Sequence, residues 1–408
     1  MKILLVAPQP FYQERGTPMA VRLLAATLCE FGHEVDLLCY HVGANVSLPG
    51  LRVIRAWRPP GVGDVPIGIS WQKIVCDVSL VVRMLALLAR QRYDVIHAVE
   101  EAIFPAALFS AFSRRKLVYD MDSSLSDQLT DKWQRLKPLH GFFQSFERFA
   151  VRRSTAVFAV CEDLAVKVRP WIDERCVFVL PDVPIPDVVP VEAVESLRPR
   201  TAPAELSITE QTYGIYVNDT FTSMKAANAV IALYVGNLER YQGIDLLLEG
   251  VARVSPETNL QTIVIGGDIT RVKLYRQRAF DLGIAARVRF IGARPVAHLN
   301  AYLAQADILV SPRILGQNTP MKVYSYMQSG KAILATDIRS HSQVLNSECA
   351  ELVAANPAAL AAGLERLAAD PELRRRLGAV ALETAMREYS LPVFRRKLQE
   401  AYTTIASA

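Results

Sequence analysis

A cationic side chain stands at the start of a short helical pattern in the second half of the chain. Gln317-Asn-Thr-Pro supplies a helix N-cap and a proline in the first turn, and Lys322 follows within that turn. Backbone N–H groups at a helix N-terminus and a nearby lysine both favour a bound anion. The pattern predicts a site for a negatively charged ligand, although a solvated helix lysine would have the same spacing.

The first loop of the chain has a related character. Gly16, Thr17 and Pro18 end the loop that follows an apolar strand and come just before a helix opens, which places glycine and free backbone N–H groups at the carboxyl end of that strand. The loop has neither the Gly-x-Gly-x-x-Gly fingerprint nor a P-loop. It is therefore either a second anion site or simple helix initiation.

Two carboxylates and a histidine follow other strands. Asp120 and Asp122 come at the end of the strand Lys116–Tyr119 and could accept the proton of a substrate hydroxyl. The alternative is an Asx-turn and helix N-cap ahead of Ser123. His97 ends another strand and could orient a substrate, or it could be a buried histidine with satisfied hydrogen bonds.

The elements that must position these residues alternate between strand and helix. Amphipathic stretches at Met19–Phe31, Trp71–Arg90 and Gly141–Arg153 separate short apolar runs, which predicts parallel sheets covered by helices on both faces. The predicted strands are Ile3–Ala7, Glu34–Cys39, Leu51–Arg55, Val95–Ala98, Lys116–Tyr119, Ala156–Val160, Cys176–Leu180, Ala232–Val235, Thr262–Ile265, Val288–Ile291, Ile308–Val310, Ala332–Ala335 and Glu351–Val353.

The alternation is interrupted once, which divides the chain into domains. Five prolines between Pro184 and Pro203 precede a stretch rich in Thr, Ser and Asn. We therefore expect an α/β domain at 1–190, a linker or insertion at 191–228 and a second α/β domain at 229–389, with a C-terminal helix at about 390–408 packing back on the first domain. Leu391-Pro392 predicts a kink or break ahead of that helix. Two doubly wound domains would offer a cleft at the carboxyl ends of their strands.

Composition excludes several classes of protein. The 408 residues are 51% hydrophobic and 21% charged, which suits globular domains rather than a disordered or fibrous chain. A net charge of +5 is too small to indicate nucleic-acid binding. The six cysteines are scattered, without metal-ligand spacing, so free thiols in a reducing cytoplasm and no metal site are expected. No apolar run is long enough to predict a membrane-spanning helix or a signal peptide.

The order of motifs resembles the glycosyltransferases of family 4, which have the GT-B architecture of two Rossmann-like domains facing a central cleft. The resemblance runs from residue 1 to about 340 and is carried by Phe31-Gly-His-Glu-Val, Tyr93-Asp-Val-Ile-His, Tyr234-Val-Gly-Asn-Leu, Gln242-Gly-Ile-Asp-Leu, Val288-Arg-Phe-Ile-Gly and Pro320-Met-Lys-Val-Tyr-Ser-Tyr-Met-Gln-Ser-Gly-Lys. It implies retaining, metal-independent transfer of a sugar from a UDP- or GDP-linked donor, with no further cofactor.

The resemblance also assigns residues to roles. Catalysis is expected from Asp122, Asp120, His97 and Lys322. The expected donor-binding residues are Gly16, Thr17, Gly236, Asn237, Gln242, Gly267, Arg313, Asn318, Thr319, Pro320, Met321 and Ser325. The implied partners are a nucleotide-sugar donor and a glycan or lipid-linked acceptor of the cell envelope.

This chain departs from the family at charged positions. Asn237 and Gln242 stand where the family has an Arg and a Lys for the donor phosphates, and Gln317 and Ser325 replace its paired glutamates. Asp122 replaces a common acceptor-side histidine. Lys322, Arg240 or Arg313 could restore the lost positive charge. The alternatives to a transferase are a non-catalytic scaffold with this fold and an enzyme with an unusual donor.

One helical stretch bears on location. Phe142, Phe146 and Phe149 recur at helical spacing in a segment that also holds basic residues. Three tryptophans, Trp57, Trp71 and Trp133, lie in the same half of the chain. Such a face either packs on the sheet or docks on a membrane surface. A cytoplasmic protein, with peripheral contact at the inner face of the membrane, is the expectation.

Overall fold

The computed structural model describes residues 1–14, 16–63, 65, 70–110, 115–132, 134–184, 190–198 and 228–408. Most of the predicted insertion at 191–228 lies outside these residues, and so does Trp133. Contacts between residues divide the chain into two units, Met1–Ile185 with Leu391–Ala408, and Pro186–Ser390. No helix of the described residues combines the length and the apolar character that crossing a bilayer needs.

The first unit is built on a parallel sheet. Its seven strands, counted over the described residues, lie in the order β3-β2-β1-β4-β5-β6-β7. They are buried apolar runs, which is typical of strands covered on both faces, and they confirm the strand predictions to within two residues. The strands are β1 (Lys2–Val6), β2 (Glu34–Cys39), β3 (Leu51–Arg55), β4 (Val95–Val99), β5 (Lys116–Met121), β6 (Ala156–Ala159) and β7 (Val177–Val179).

Helices cover both faces of this sheet. The helices are α1 (Gly16–Glu30), α2 (Trp71–Arg90), α3 (Ile103–Ser110), α4 (Leu125–Lys132), α5 (His140–Arg153) and α6 (Glu162–Val168). Helices α2, α3, α5 and α6 share one apolar core with the sheet, and α1 contributes to the core on the opposite face. The side chain of Ser70 accepts a hydrogen bond from the Lys73 N–H and so fixes the start of α2.

The second unit repeats the plan with a six-stranded parallel sheet in its described residues, in the order β10-β9-β8-β11-β12-β13. Its strands are β8 (Val230–Val235), β9 (Leu260–Ile265), β10 (Val288–Gly292), β11 (Ile308–Ser311), β12 (Ala332–Thr336) and β13 (Glu351–Val353). Its helices are α7 (Ile244–Arg253), α8 (Ile269–Asp281), α9 (Leu299–Gln305), α10 (Met321–Gln328), α11 (Arg339–Ser342), α12 (Pro357–Ala369) and α13 (Pro371–Glu388).

The last helix, α14 (Leu391–Ser407), belongs to the first unit. Pro392 lies in its first turn, where a missing N–H costs nothing, so the predicted break is where α13 ends and α14 begins. Phe394, Leu398 and Tyr402 are buried in the core below α1. The Lys116 ammonium donates to the carbonyl oxygens of Ile405 and Ala406, both at 2.7 Å, and so holds the end of the helix at the sheet.

A glycine joins the turn after β8 to α7. Gly243 has a φ of +76°, and a Cβ at this position would lie 1.8 Å from the Pro312 carbonyl oxygen. Gly283 has a similar φ of +70° but nothing within 4 Å of the corresponding point. We expect Gly243→Ala to lower the free energy of unfolding by about 3 kcal/mol, because left-handed backbone strain adds to a steric clash. Gly283→Ala should lower the free energy of unfolding by only about 1–2 kcal/mol, because it introduces left-handed backbone strain without a clash. Equal losses in urea unfolding of the two variants would contradict the close approach at Gly243.

Candidate functional site

The second unit brings its predicted site residues together at the carboxyl ends of β8 and β11. These strands are neighbours in the sheet, so the loops that follow them meet at one edge. The loop after β8 carries Gly236 and Asn237, and the loop after β11 carries Arg313. That second loop ends at Pro320, the N-cap of α10, so Lys322 lies in the first turn of the helix.

The Lys322 ammonium is enclosed by other residues of this edge. It donates to the Gln242 side-chain oxygen at 3.0 Å and lies 4.0 Å from the centroid of the Tyr234 ring. A Cβ at Gly236 would lie 3.1 Å from the Lys322 nitrogen, so glycine leaves room for the lysine to approach. The Tyr234 hydroxyl in turn donates to the Asn237 carbonyl oxygen at 2.6 Å and fixes the loop.

Arg313 is the second cation of the site and is 8% exposed. Its guanidinium donates to the Leu315 carbonyl oxygen at 2.6 Å and to the Asn318 carbonyl oxygen at 3.2 Å, and it lies 5.4 Å from the Tyr241 ring centroid. The third cation considered from the sequence, Arg240, is exposed. Of these two arginines, Arg313 is therefore the one that is enclosed.

Neither cation has a carboxylate partner among the residues that the structure describes. Within the described ranges, no Asp or Glu oxygen lies within 4.0 Å of either side chain. Burial, and then the neighbouring Arg313 charge, lower the pKa of Lys322 well below its usual value. Burial also lowers the pKa of Arg313. Both shifts reflect chiefly the cost of holding a positive charge away from water, a cost that a bound anion would reduce.

The remaining predicted donor-site residues lie in the loop after β11, in α10 and in the loop after β9. Thr319, 3% exposed, has a side-chain oxygen with no hydrogen-bond partner in the described part of the chain. Met321 opens α10, and Ser325 is buried one turn further on. A Cβ at Gly267 would lie 2.5 Å from the Leu238 side chain, so this glycine serves close packing beside the Gly236 loop.

The first unit gathers carboxyl groups at the carboxyl edge of its sheet. Asp120 is the last residue but one of β5 and Asp122 follows that strand, while Glu100 follows β4 and Asp182 comes three residues after β7. The side chain of Thr17 hydrogen-bonds Asp122. Asp122 is therefore tied to the first loop. Gly16 opens that loop's helix, with nothing within 4 Å of where a Cβ would lie.

Burial dominates the electrostatics of this carboxyl cluster. It raises the pKa of Asp122 well above the usual value, with the charges of Asp120, Glu100 and Asp182 adding to the effect. Burial and the Asp120 charge raise the pKa of Asp182 to about 7. Burial, then the Glu101 charge, raise the pKa of Glu100 to about 7. Glu100 and Asp182 can therefore exchange protons near neutral pH, which suits hydrogen bonding to hydroxyl groups.

His97 is fully buried, and one of its two ring nitrogens has a hydrogen-bonding partner. Its Nδ1 lies 2.7 Å from the Tyr402 hydroxyl of α14, while its Nε2 lies 3.4 Å from an Asp120 oxygen and has no hydrogen-bond partner among the described residues. His97 therefore approaches the carboxyl cluster at Asp120. His341 of the second unit, another histidine near the site, is also buried and bonds Ser311 and Thr336.

Sequence reasoning missed several contributors. Tyr234 and Tyr241, which lie against the two cations, were given no role, although Tyr234 opens one of the motifs that carry the family resemblance. Glu100 was missed although it directly follows a strand. Its φ of +48° is an uncommon left-handed backbone angle, which no sequence pattern indicates. No three His, Cys, Asp or Glu side chains of the described residues are arranged to hold a metal ion.

Comparison with protein families assigns both units. A model described as Glycosyl transferase 4-like domain matches residues 15–181, and one described as Glycosyl transferases group 1 matches residues 229–370. Each match falls within one of the two structural units. Together they include Lys322, Arg313 and three members of the carboxyl cluster, while Asp182 lies one residue beyond the first match.

Individual relatives are distant. The D-inositol 3-phosphate glycosyltransferase of Corynebacterium efficiens is 28% identical over 189 residues, 44% of this chain and 44% of that protein. The phosphatidyl-myo-inositol mannosyltransferase of Mycobacterium tuberculosis is 27% identical over 185 residues, 43% of this chain and 47% of that protein. This chain thus matches less than half the length of these curated relatives.

The fold likeness extends over the whole chain. The structure of Anabaena Alr3699/HepE in complex with UDP aligns with a TM-score of 0.68 and 17% identity, covering 99% of this chain and 100% of that one. At this identity the likeness shows a shared fold, and that fold is GT-B.

Proposed function

We propose that this chain, which belongs to the family 4 glycosyltransferases, transfers a sugar from a nucleotide-sugar donor to a glycan or lipid-linked acceptor. The observation that carries the proposal is the pair of cations, the half-buried Lys322 and the buried Arg313, with no carboxylate among the described residues to neutralise them. A nucleotide diphosphate supplies the missing negative charge.

The same pair explains how the reaction would proceed. Negative charge develops on the departing diphosphate as the bond to the sugar breaks, and preorganised cations stabilise that charge. Lys322, Arg313 and the backbone N–H groups at the start of α10 would provide this stabilisation. The proposed reaction therefore needs no metal ion, and we propose that it retains the configuration at the anomeric carbon, as the family resemblance implies.

The donor base is proposed to be uracil, with guanine as the alternative. The fold relative Alr3699/HepE was crystallised with UDP, which supports the first choice. The loops that hold Gly236, Gly267 and Thr319 would surround the donor, because they meet at the strand ends beside Lys322.

The acceptor is proposed to bind the first unit. Its carboxyl cluster offers hydrogen-bond partners for hydroxyl groups, and Asp122 is the group proposed to accept the hydroxyl proton. Two curated relatives are named for inositol-containing acceptors, one of them a phospholipid, which supports a lipid-linked acceptor here. We propose that the protein works in the cytoplasm at the inner face of the membrane.

A non-catalytic scaffold with the same fold is the second candidate. The neutral residues Asn237, Gln242, Gln317 and Ser325 favour it, because the family has charged residues at these positions. A scaffold without a donor site would bind no nucleotide. An enzyme with an unusual donor would bind a nucleotide outside the common set.

Thermal unfolding with added nucleotides separates these candidates. A ligand present at 100 times its Kd stabilises the folded state by about 2.7 kcal/mol. We expect UDP or a UDP-sugar to raise Tm by several degrees, with a smaller effect from ADP and CMP. A selective response to GDP would identify guanine rather than uracil as the donor base, and the proposed transferase activity would stand. No response to any common nucleoside diphosphate or its sugar conjugates would overturn the proposed donor site.

A further inference from the structure

Helix α5 presents phenylalanines to solvent. Phe142, Phe146 and Phe149 are 58%, 48% and 38% exposed, so they do not belong to the core that α5 forms with the sheet. The core side of the helix is made by Ala150 and Val151. Packing on the sheet, one of the two explanations open from the sequence, is therefore excluded for this stripe.

Helix α2 presents a second apolar stripe, which the sequence analysis did not identify. Trp71, Ile74 and Val78 are 60%, 57% and 60% exposed, and Val82 and Leu85 continue the stripe at 48% and 41%. A surface helix of a globular protein normally places polar residues on its outer side. This helix is apolar on both sides.

The two stripes belong to one layer of the first unit. Helices α2, α3 and α5 pack on the same face of the sheet through a common core, and α3 adds Leu108, which is 60% exposed. We call the exposed apolar residues of these three helices the outer helical face. A set of this size on a single layer is larger than the scattered apolar residues of an ordinary surface.

The charges on this face have one sign. Arg90, Arg148, Arg152 and Arg153 are exposed, and no exposed acidic side chain occurs on α2, α3 or α5, all of whose residues are described. The two acidic residues of these helices turn inward. Asp77 accepts a hydrogen bond from the Tyr40 hydroxyl, and the fully buried Glu147 accepts from Ser124 and Ser126.

We propose that the outer helical face docks on the surface of an anionic lipid bilayer. Aromatic and aliphatic side chains enter the boundary between headgroups and acyl chains, while arginines at the same level pair with lipid phosphates. A protein partner would have to complement a face with positive charge and no negative charge, and a second copy of this chain would bring arginines against arginines. The bilayer is the occupant with the matching charge. The inference extends the proposed function, because a lipid-linked acceptor must be reached at a membrane.

Flotation of the full chain with lipid vesicles tests the proposal. Vesicles of phosphatidylglycerol and phosphatidylethanolamine are compared with vesicles of phosphatidylcholine alone. We expect binding to the anionic vesicles only, weakened by added salt. Phe142→Ser with Phe146→Ser, and separately Val78→Ser with Val82→Ser, should each reduce the partition coefficient about tenfold or more. Arg148→Glu with Arg152→Glu should reduce it about thirtyfold or more.

The matched control lies on α8 of the second unit. Leu274 and Phe280 are 63% and 70% exposed, and Leu274→Ser with Phe280→Ser should float as the unchanged chain does. The nucleotide response of every variant is measured in parallel, so that loss of docking is distinguished from failure of the donor site. No flotation of the unchanged chain, equal flotation of all variants, or an equal loss in the control would overturn the proposal. A dimer that the α2 or α5 variants dissociate, without flotation, would assign the face to a second copy instead.

Discussion

Lys322→Met is expected to weaken UDP binding about ten- to a hundredfold and to lower turnover about a hundred- to a thousandfold. Methionine keeps the apolar stem over the Tyr234 ring but removes the charge. One charge-assisted hydrogen bond is worth about 1.5–3 kcal/mol, and the loss grows as the leaving group becomes charged. Calorimetry with UDP and release of the nucleotide from its sugar conjugate measure the two effects.

Lys273→Met is the matched control, because Lys273 is an exposed lysine on α8. It should change neither quantity. Binding should also depend on protons, since burial and Arg313 lower the pKa of Lys322 in the free chain. A bound diphosphate raises that pKa again, so UDP binding takes up a proton and weakens as pH rises through the pKa of the free lysine. Unchanged affinity and turnover in Lys322→Met would contradict the assignment of the donor site.

Asp122→Asn is expected to lower turnover about a hundredfold and yet to stabilise the fold at pH 8. The loss of turnover follows if Asp122 accepts a proton from the acceptor. The gain in the free energy of unfolding, on the order of 1 kcal/mol, follows because an ionised Asp122 is held among Asp120, Glu100 and Asp182. Asparagine keeps an oxygen that can accept from the Thr17 hydroxyl.

The sign of the pH dependence follows from the raised pKa values. A carboxyl whose pKa is higher in the folded chain stabilises it below the pKa of the unfolded chain, about 4, and this contribution is lost as pH rises through the folded value. That value is about 7 for Glu100 and Asp182. The free energy of unfolding should therefore fall between pH 5 and 8, and less steeply in Asp122→Asn. In Glu174→Gln, which changes a 79% exposed side chain, the fall should match that of the unchanged chain. If the free energy of unfolding fell equally with pH in the unchanged chain and in both variants, the electrostatic coupling of Asp122 to the other carboxyl groups would be contradicted.

The strands could be predicted because each is a short, buried apolar run bounded by turn residues. Glu34–Cys39 and Leu51–Arg55 have the predicted bounds. Helix ends were less certain: α1 begins at Gly16, three residues before the prediction, because Gly16-Thr-Pro already forms its first turn. Local pattern and strand period thus determine most of this architecture.

Contacts across the sequence could not be predicted. Gln242 and Lys322 are 80 residues apart, and His97 and Tyr402 are 305 apart. Each pair depends on which strands or helices become neighbours, and periodicity does not contain that information. The exposure of Phe142 could not be predicted either, because a helical stripe has the same spacing whether it packs on a sheet or faces outward.

A crystal structure of the chain with UDP would show directly whether Lys322 and Arg313 form the donor site. We expect diphosphate oxygens within hydrogen-bonding distance of the Lys322 ammonium and the Arg313 guanidinium, at the N-terminus of α10. The two cations would then be paired with the negative charge of the diphosphate. UDP bound elsewhere in the protein, or a diphosphate held without either side chain, would contradict it.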